Sequence, residues 1–503
     1  MRIGRDSSLI YENPNYKKNP TLLSIYNLSS SRNIIIIRLQ GILCLTRKKG
    51  YLNNMEVTIF SRETIRPSSS LIRHLEPKKL CLFDQLTPST YPEVVIFYSM
   101  NDPNLDLNKT LIQLKKSLSE TLTLFYPFSG KTKNNLYIED YDTGVPYWEA
   151  KVNCRMSDYL QLRETESLNN FVAIHPFTKE KDTSAPQLAI QVNVFSCGGI
   201  ALGVSVSHKQ SDGETLSYFL KSWAALFTGS PHKVVVPQLS KAASFFLPQT
   251  ELPPNCVALM DQLWFKKSNY VTKRFYFNNK AISTLKSLGK SETVPSPTRN
   301  DVVSCFIWKH ATEASWAISG KPRISVAAHA VNMRPRMTNP RSLENCTGNL
   351  FWWASIIVNP AQKAELELSQ LVALTNEIVS EFNGDYLENM VGEAGFEPIS
   401  DFVTQLESMM DMDSEKPDIF AFTNWKNTFN EVDFGWGNPV WVGAHGKVGP
   451  EFRNMVVLID SQGSNDKEVE AFVTLEDRQM AILESDSQFL AFAGNGNNIK
   501  ASL

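Results

Sequence analysis

The chain has 503 residues, of which 42% are hydrophobic and 11% aromatic, with 50 Lys and Arg against 52 Asp and Glu. This composition supports a large buried core in two or three domains and excludes disordered, collagen-like and polyelectrolyte chains. Residues 1–54 hold nine basic and two acidic side chains, so the rest of the protein is net acidic and a nucleic-acid partner is not expected.

The cysteines indicate a reducing compartment. Seven of them stand at irregular intervals with no CxxC pair, which predicts neither a disulfide framework nor a zinc cage. The longest apolar stretch near the start, residues 34–45, is interrupted by Arg38 and Gln40 and is too short to span a bilayer. We therefore predict a cytoplasmic protein with no membrane partner.

Residues 1–54 do not have the pattern of a folded domain. They combine Asn, Ser, Tyr and Lys with an Ile-rich run and show neither helical nor alternating periodicity. Three interpretations are open: an organelle transit peptide, an additional strand, or non-native sequence ahead of a true start at Met55. The last is favoured because strand-like alternation begins abruptly at Val57 and Ile59. We treat this segment as an extension outside the domains, disordered or not native.

From Met55 onward, short alternating strands and amphipathic helices follow one another without a fixed repeat, which predicts mixed sheets flanked by helices. Helices are predicted at residues 111–125 and, after Pro360, at about 361–382. The predicted strands are residues 188–194, 200–206, 324–330, 350–358, 455–459 and 469–475.

A connection between two halves is predicted at residues 236–268, where prolines interrupt a polar stretch. It separates an N-terminal domain at 55–235 from a C-terminal domain at 269–503. Residues 494–503 are rich in Gly and Asn and are predicted to form a frayed tail.

The most informative stretch, residues 188–226, predicts a hairpin followed by a helix. Apolar residues of one parity fill both strands, and Gly198-Gly199 supplies the turn between them. His208 continues the parity of the second strand, so its side chain should point to the buried side. The Ser-x-x-Glu that follows matches a capping box with Ser211 as the N-cap, ahead of helical periodicity.

His208 is a candidate general base. A neutral imidazole with an unperturbed pKa of about 6.5 accepts a proton near pH 7. Asp212, four residues on, would orient the histidine or hold the loop. The alternative is a hydrogen-bonded interior histidine beside an ordinary helix-start carboxylate, and the spacing alone does not separate the two.

These residues resemble the BAHD family of plant acyl-CoA-dependent acyltransferases. The family's His-x-x-x-Asp-Gly stands at residues 208–213, and its Asp-Phe-Gly-Trp-Gly stands at 433–437, in the family's order. Short segments that resemble the family's sequences also lie between the two motifs, at residues 297–299, 331–335, 348–349 and 423–425. The resemblance extends from Met55 to about Phe492 and is greatest to an alcohol acetyltransferase clade that includes vinorine synthase.

The resemblance implies a direct transfer carried out by a few residues. His208 would deprotonate the acceptor hydroxyl, which attacks the CoA thioester in a ternary complex. Asp212 would point away from the reacting centre and pair with Arg334 to hold the loop. Thr423 and Trp425 would donate hydrogen bonds to the oxyanion of the tetrahedral intermediate.

Other residues are given supporting or binding roles. The second motif is implied to support the fold through a tight turn that contains Asp433, Gly435 and Trp436. Candidate contacts for the CoA phosphates, which need cations, are Lys273, Arg274 and Arg299. For each of these three cations, a solvated surface role is the alternative. The remaining histidines are scattered, so no metal site is predicted.

The resemblance further implies a two-domain α/β fold of the chloramphenicol-acetyltransferase type, each domain a mixed sheet flanked by helices. The site would lie in a channel at the domain interface, with donor and acceptor entering from opposite faces. The donor would be an acyl-CoA, with acetyl-CoA favoured, and the acceptor a hydroxyl of a plant specialised metabolite such as an alkaloid or a terpenoid. No permanently bound cofactor is implied, and a monomer is expected.

Three alternatives stay open. An amine could replace the alcohol, because the same base serves an N–H nucleophile. A peptide condensation domain shares the first motif, but it normally carries a second histidine where this chain has Ser207. A catalytically degenerate family member would act as a binding protein, and the intact motif residues count against it. The pocket walls come from variable loops, so the sequence does not name the acceptor.

Overall fold

The computed structural model describes residues 55–100, 105–178, 185–338, 341–360, 367–410, 416–426, 428–449, 454–461 and 468–495. The predictions made for residues 1–54 lie outside this range. The described residues from Glu56 onward belong to one compact unit.

Sixteen strands lie in the described part of the chain. They are β1 Val57–Ile65, β2 Lys78–Lys79, β3 Glu93–Tyr98, β4 Lys131–Lys133, β5 Tyr137–Glu139, β6 Val145–Val152, β7 Leu188–Phe195, β8 Ile200–Val206, β9 Tyr270–Phe277, β10 Ser325–Asn332, β11 Phe351–Val358, β12 Asp418–Lys426, β13 Trp441–Gly443, β14 Met455–Asp460, β15 Val469–Glu476 and β16 Gly494–Asn495.

The α-helices of the same residues lie between the strands. They are α1 Leu82–Leu86, α2 Leu107–Leu124, α3 Met156–Leu162, α4 Gly213–Phe227, α5 Lys241–Phe245, α6 Pro254–Trp264, α7 Asn279–Leu288, α8 Arg299–Ser319, α9 Leu368–Glu381, α10 Gly384–Glu388, α11 Glu397–Met410, α12 Asp477–Ser485 and α13 Ser487–Phe492. None of them is long and apolar enough to cross a membrane.

The first sheet has the strand order β1-β6-β7-β8-β3-β13 and is antiparallel except between β6 and β7. The predicted hairpin of β7 and β8 is present, and its turn places Gly198 at φ +86°, a backbone conformation that glycine adopts readily. Helices α2 and α4 pack together beside this sheet, and Trp223 of α4 donates a hydrogen bond to the backbone oxygen of Leu114 at 3.2 Å. A small third sheet has the order β2-β5-β4.

The second sheet has the order β11-β10-β12-β14-β15-β9-β16, with β12 parallel to both of its neighbours. Helix α8 packs against α9 and α12 on this sheet, and its apolar side chains join a core that includes Phe306, Ile307 and Phe489. All six strands predicted from the sequence are present, with ends that differ by at most two residues. The mixed sheets flanked by helices are therefore confirmed.

The chain crosses between the two sheets. The first sheet is built mainly from residues before 207, and the second from residues after 269. Strand β13 is the exception, because it belongs to the second half of the sequence but pairs with β3 of the first sheet. Residues 236–268 contain helices α5 and α6, so the predicted connection is structured and not merely a polar loop. We propose residues 236–268 as the boundary between the two halves.

Two predictions of local structure were wrong or incomplete. Gly494 and Asn495 do not fray but pair with Tyr276 and Phe275 as the edge strand β16, and the rest of the predicted tail lies outside the described residues. The helix predicted at 361–382 begins at Leu368, and residues 361–366 also lie outside them. The helix predicted at 111–125 is present as the longer α2.

Candidate active site

His208 follows β8 and lines a cavity between the two large sheets. Its backbone N–H donates to the carbonyl oxygen of Thr90 at 2.8 Å, which fixes the chain where it leaves the sheet. The cavity has a volume of about 970 Å³ including its open mouth. Val206 of the first sheet and Thr423 and Val457 of the second line it together with His208. The strand parity predicted that His208 points to the buried side, and the structure places it at a cavity there.

The side chain of Asn349 holds the imidazole from behind. The Nδ1 atom of His208 lies 3.0 Å from the Oδ1 atom of Asn349. The amide nitrogen of Asn349 donates to the His208 carbonyl oxygen at 2.6 Å and to Asp84 Oδ1 at 2.9 Å. Asp84 also accepts a hydrogen bond from the Asn349 backbone N–H at 2.7 Å. Asp84 thus orients Asn349, and Asn349 orients the histidine.

This network selects one tautomer of His208. The carbonyl oxygen of His208 and the carboxylate of Asp84 only accept hydrogen bonds, so the amide nitrogen of Asn349 must face them. The amide oxygen then faces the imidazole, and Nδ1 must carry the proton that it accepts. The lone pair is left on Nε2, where a base is needed. Burial lowers the pKa of His208 below 6.5, and the bond from Asn349 only partly opposes this, so the ring is neutral at pH 7.

Replacing Asn349 with alanine should lower the rate of a reaction in which His208 is the base by about tenfold or more, because the imidazole loses the partner that fixes its tautomer. The bond from Asn349 raises the pKa of His208, so its removal should lower that pKa further. The acidic limb of the profile of kcat/KM against pH should therefore move to lower pH. An unchanged rate and an unchanged limb would show that Asn349 does not position the base.

Asp212 forms a buried ion pair with Arg334, as the resemblance to the family implied. The Nη1 and Nη2 atoms of Arg334 lie 2.7 and 3.2 Å from the two carboxylate oxygens of Asp212. The same carboxylate accepts hydrogen bonds from the backbone N–H groups of Thr215 and Leu350. Burial alone would raise the pKa of Asp212, but Arg334 and the backbone donors outweigh it and lower the pKa.

The carboxylate of Asp212 also begins helix α4. Asp212 is the N-cap residue, and its Oδ1 atom accepts from the Thr215 backbone N–H at 2.8 Å. The prediction that Ser211 is the N-cap was therefore wrong: the Ser211 hydroxyl donates to the neighbouring carbonyl oxygen instead. One side chain thus joins the helix start, the loop after His208 and the segment before β11.

Thr423 and Trp425 lie on β12 and line the cavity opposite His208. Asn424 between them also lines the cavity, because the pairing of β12 with β14 is irregular between Asn424 and Lys426. The indole of Trp425 also lies close to Gly213 at the start of α4. A side chain at Gly213 would place its Cβ atom 3.9 Å from Trp425 Nε1. The predicted oxyanion donors are therefore brought to the same cavity as the predicted base.

The Asp-Phe-Gly-Trp-Gly motif lies away from this cavity. Asp433 Oδ1 accepts from the backbone N–H groups of Gly435 at 2.7 Å and Gly437 at 2.9 Å, and both glycines have a positive φ. The Trp436 ring packs edge-on against Tyr98 of the first sheet, with centroids 5.2 Å apart. The motif therefore fastens the segment that leads into β13 onto the first sheet, which fits the supporting role predicted for it.

The three candidate CoA-phosphate contacts do not line the His208 cavity. Lys273 lies 3.4 Å from Glu484, and its side chain is 44% exposed. Arg299 pairs with Asp460 at 3.1 Å. Arg274 is buried beside Trp441 and pairs with Glu470 at 3.2 Å, with 3% of its side chain exposed. Of the three side chains, that of Arg274 is the least exposed. Contact between CoA and each of the three stays a prediction.

A second cavity of about 510 Å³ adjoins the first at His208. Its walls are apolar and aromatic, and the rings of Trp264 and Trp353 lie 4.6 Å apart. Phe177, Phe351, Trp353 and Met455 also line the first cavity. In the described part of the chain, no cluster of three His, Cys, Asp or Glu could hold a metal ion.

Sequence reasoning missed Asp84 and Asn349 as site residues. Asn349 lies in a short sequence segment that resembles the family, but the resemblance did not assign it a role. Asp84 lies in a five-residue helix with no motif around it. Only the contact between residues 84, 208 and 349, which are far apart in the chain, identifies them.

The chain matches the model of the Transferase family over residues 55–490. It is 33% identical to akuammiline synthase 2 of Alstonia scholaris over 443 residues, which cover 87% of this chain and 97% of that protein. It is 35% identical to a limonoid 7-O-acetyltransferase of Citrus sinensis over 461 residues, which cover 87% and 98%.

Solved structures show the same fold. The crystal structure of vinorine synthase matches with a TM-score of 0.71 and 29% identity, over 88% of this chain and 99% of that chain. The TRI101 protein of F. sporotrichioides, in a structure with coenzyme A and T-2, matches with a TM-score of 0.61 and 18% identity, over 83% and 99%. Because the family model spans most of the sequence and both curated relatives exceed 30% identity over nearly their whole length, this chain belongs to the Transferase family of BAHD acyltransferases.

Proposed function

We propose that this protein is an acyl-CoA-dependent O-acyltransferase that transfers acetyl from acetyl-CoA to a hydroxyl of a plant specialised metabolite. The observation that carries the proposal is the neutral His208, held by Asn349 with its Nε2 lone pair available at a cavity between the two sheets. The acetyl group and the hydroxyl acceptor are suggested by the names of relatives such as limonoid 7-O-acetyltransferase and stemmadenine O-acetyltransferase.

The reaction would proceed by direct attack. The Nε2 atom of His208 removes the proton from the acceptor hydroxyl as its oxygen attacks the thioester carbonyl carbon. Donors from Thr423 and Trp425 stabilise the oxyanion that forms. The carbon–sulfur bond then breaks, and the imidazolium returns the proton to the leaving thiolate, which yields the ester and free CoA. Asp212 and Arg334 hold the loop that carries His208 and take no part in proton transfer.

The second cavity is suited to the acceptor. Its lining residues include no lysine, arginine, aspartate or glutamate, so it would not bind the CoA phosphates. The neighbouring indoles of Trp264 and Trp353 and the phenylalanines beside them suit a rigid apolar skeleton such as that of a terpenoid or alkaloid alcohol. We place the phosphates elsewhere, with Lys273 and Arg299 as their candidate contacts.

We also propose that the enzyme acts as a cytoplasmic monomer without a permanently bound cofactor. The cysteines in the described residues, Cys81, Cys154, Cys197, Cys256, Cys305 and Cys346, are all free, which suits a reducing compartment. Direct transfer between two bound substrates needs no prosthetic group.

The proposal is tested by mixing the purified protein with acetyl-CoA and a panel of polycyclic alcohols and amines. Release of free thiol together with an acetylated ester identified by mass spectrometry is the expected result. Amide products without esters would establish the N-acyltransferase instead. Acetyl-CoA binding without any product would favour a degenerate binding protein.

A further inference from the structure

Glu93 is a buried carboxyl group on the wall of the His208 cavity. It is the first residue of β3, and it is 2% exposed. Its Oε1 atom accepts one long hydrogen bond, from the backbone N–H of Gly446 at 3.4 Å. Its Oε2 atom has no hydrogen-bond partner among the described residues. A buried polar atom without a partner is unfavourable, so the Oε2 atom of a residue that lines the cavity needs an explanation.

The surroundings disfavour the charged form of this carboxyl. The neighbouring wall of the cavity is apolar and includes Phe177, Val206 and Met455. Burial raises the pKa of Glu93 well above its usual range, and the bond from Gly446 only partly opposes this. Arg334, an arginine that lines the same cavity, is already bound to Asp212. A protonated carboxyl has an O–H group, so in this form Glu93 can donate a hydrogen bond.

The position of Glu93 points to the acceptor and not to the donor. Phe177, His208 and Met455 line both cavities, and they join the wall near Glu93 to the apolar second cavity. An apolar acceptor skeleton in the second cavity would reach the first one at His208. The phosphates of CoA would avoid both the apolar walls and a carboxyl group.

We propose that Glu93 is a specificity-determining residue that donates a hydrogen bond to an oxygen of the acceptor other than the reacting hydroxyl. The preferred acceptors are then polycyclic alcohols that also carry a ketone or ether oxygen. This inference rests on the proposed function, because it concerns the acceptor of the same reaction. The bond is to a non-reacting part of the acceptor, so it acts mainly on KM and leaves kcat little changed.

The test uses matched pairs of steroid and limonoid alcohols that differ only in one ring ketone. The wild-type protein should prefer the ketone-bearing member of at least one pair by about tenfold in kcat/KM, chiefly through a lower KM. Equal kcat/KM values within every pair would overturn the inference and leave the proposed function standing. Failure to acetylate any alcohol would count against the proposed function itself.

Two variants test the role of the carboxyl group. Glu93→Leu should abolish the preference for the ketone, and it should fold well because it removes an unpartnered buried polar atom. Glu93→Gln should keep most of the preference, because the amide still offers an N–H donor of similar reach. If Glu93→Gln loses as much of the preference for the ketone as Glu93→Leu does, the proposed hydrogen bond from Glu93 to the acceptor is wrong.

Glu149 provides the matched control. It is also buried in the first sheet, on β6, and it lines neither cavity. Glu149→Gln should leave the preference for the ketone unchanged. A change as large as that of the Glu93 variants would show that any altered buried glutamate in this sheet disturbs acceptor binding, and it would overturn the specific role of Glu93.

Discussion

Replacing His208 with alanine should lower the single-turnover rate of acyl transfer by about 10²–10⁴-fold, because it removes the proton transfer from the acceptor hydroxyl. The binding of acetyl-CoA should change little, since the donor is held by other groups. Truncation leaves the Oδ1 atom of Asn349 without its partner, but the cavity admits water there, so the melting temperature should fall only slightly. Single-turnover kinetics and a melting curve on the same preparation measure both effects.

Two control variants separate a base from a packing residue. His208→Gln keeps an amide that can bond to Asn349 but cannot accept a proton near pH 7, so it should be as slow as the alanine variant. His329 is half-buried against Phe422, has a pKa lowered by burial to about 4, and lies outside both cavities. His329→Ala should leave the rate per folded molecule unchanged. A His208→Ala protein that melts early yet acylates at the normal rate would refute the mechanism.

Breaking the pair of Asp212 and Arg334 should have the largest effect on stability. Either alanine substitution leaves a buried, unpaired partner and should lower the free energy of unfolding by about 3–5 kcal/mol. The loop that carries His208 should lose its geometry, so turnover should fall as well. Because the two side chains form one unit, the double variant should lose much less than the sum of the two single losses. Denaturant unfolding of the four proteins measures this coupling.

The pH dependence of stability has a defined sign. The pKa of Asp212 is lowered in the folded state, so the stabilisation is complete above the ordinary value of 3.8 and is lost as the pH falls through the folded pKa. The partly exposed pair of Glu63 and Lys115 serves as the control for the loss of stability, and Glu63→Ala should cost about 1 kcal/mol or less. Fully additive losses for Asp212 and Arg334 would contradict the contact between them.

Much of the fold could be predicted from the sequence because its elements have local causes. The alternation in β7 and β8 and the Gly198-Gly199 turn define the hairpin without any distant contact. The pairing of β13 with β3 could not be predicted, because a three-residue strand has no periodicity of its own. The N-cap of α4 was misplaced by one residue, since Ser211 and Asp212 are both good caps and only the hydrogen bond to Thr215 separates them.

The sequence by itself determined the two motifs, the direction of His208 from strand parity and, through the family resemblance, the pairing of Asp212 with Arg334. The tertiary structure alone decided what surrounds them. Asn349 and Asp84 reach His208 from remote parts of the chain, and Glu93 has no motif. Residues that are far apart in the sequence together determine the tautomer of His208, the environment of the Glu93 carboxyl and the shape of the cavity. They do so by excluding water from the site, and they meet there only when the two sheets pack against each other.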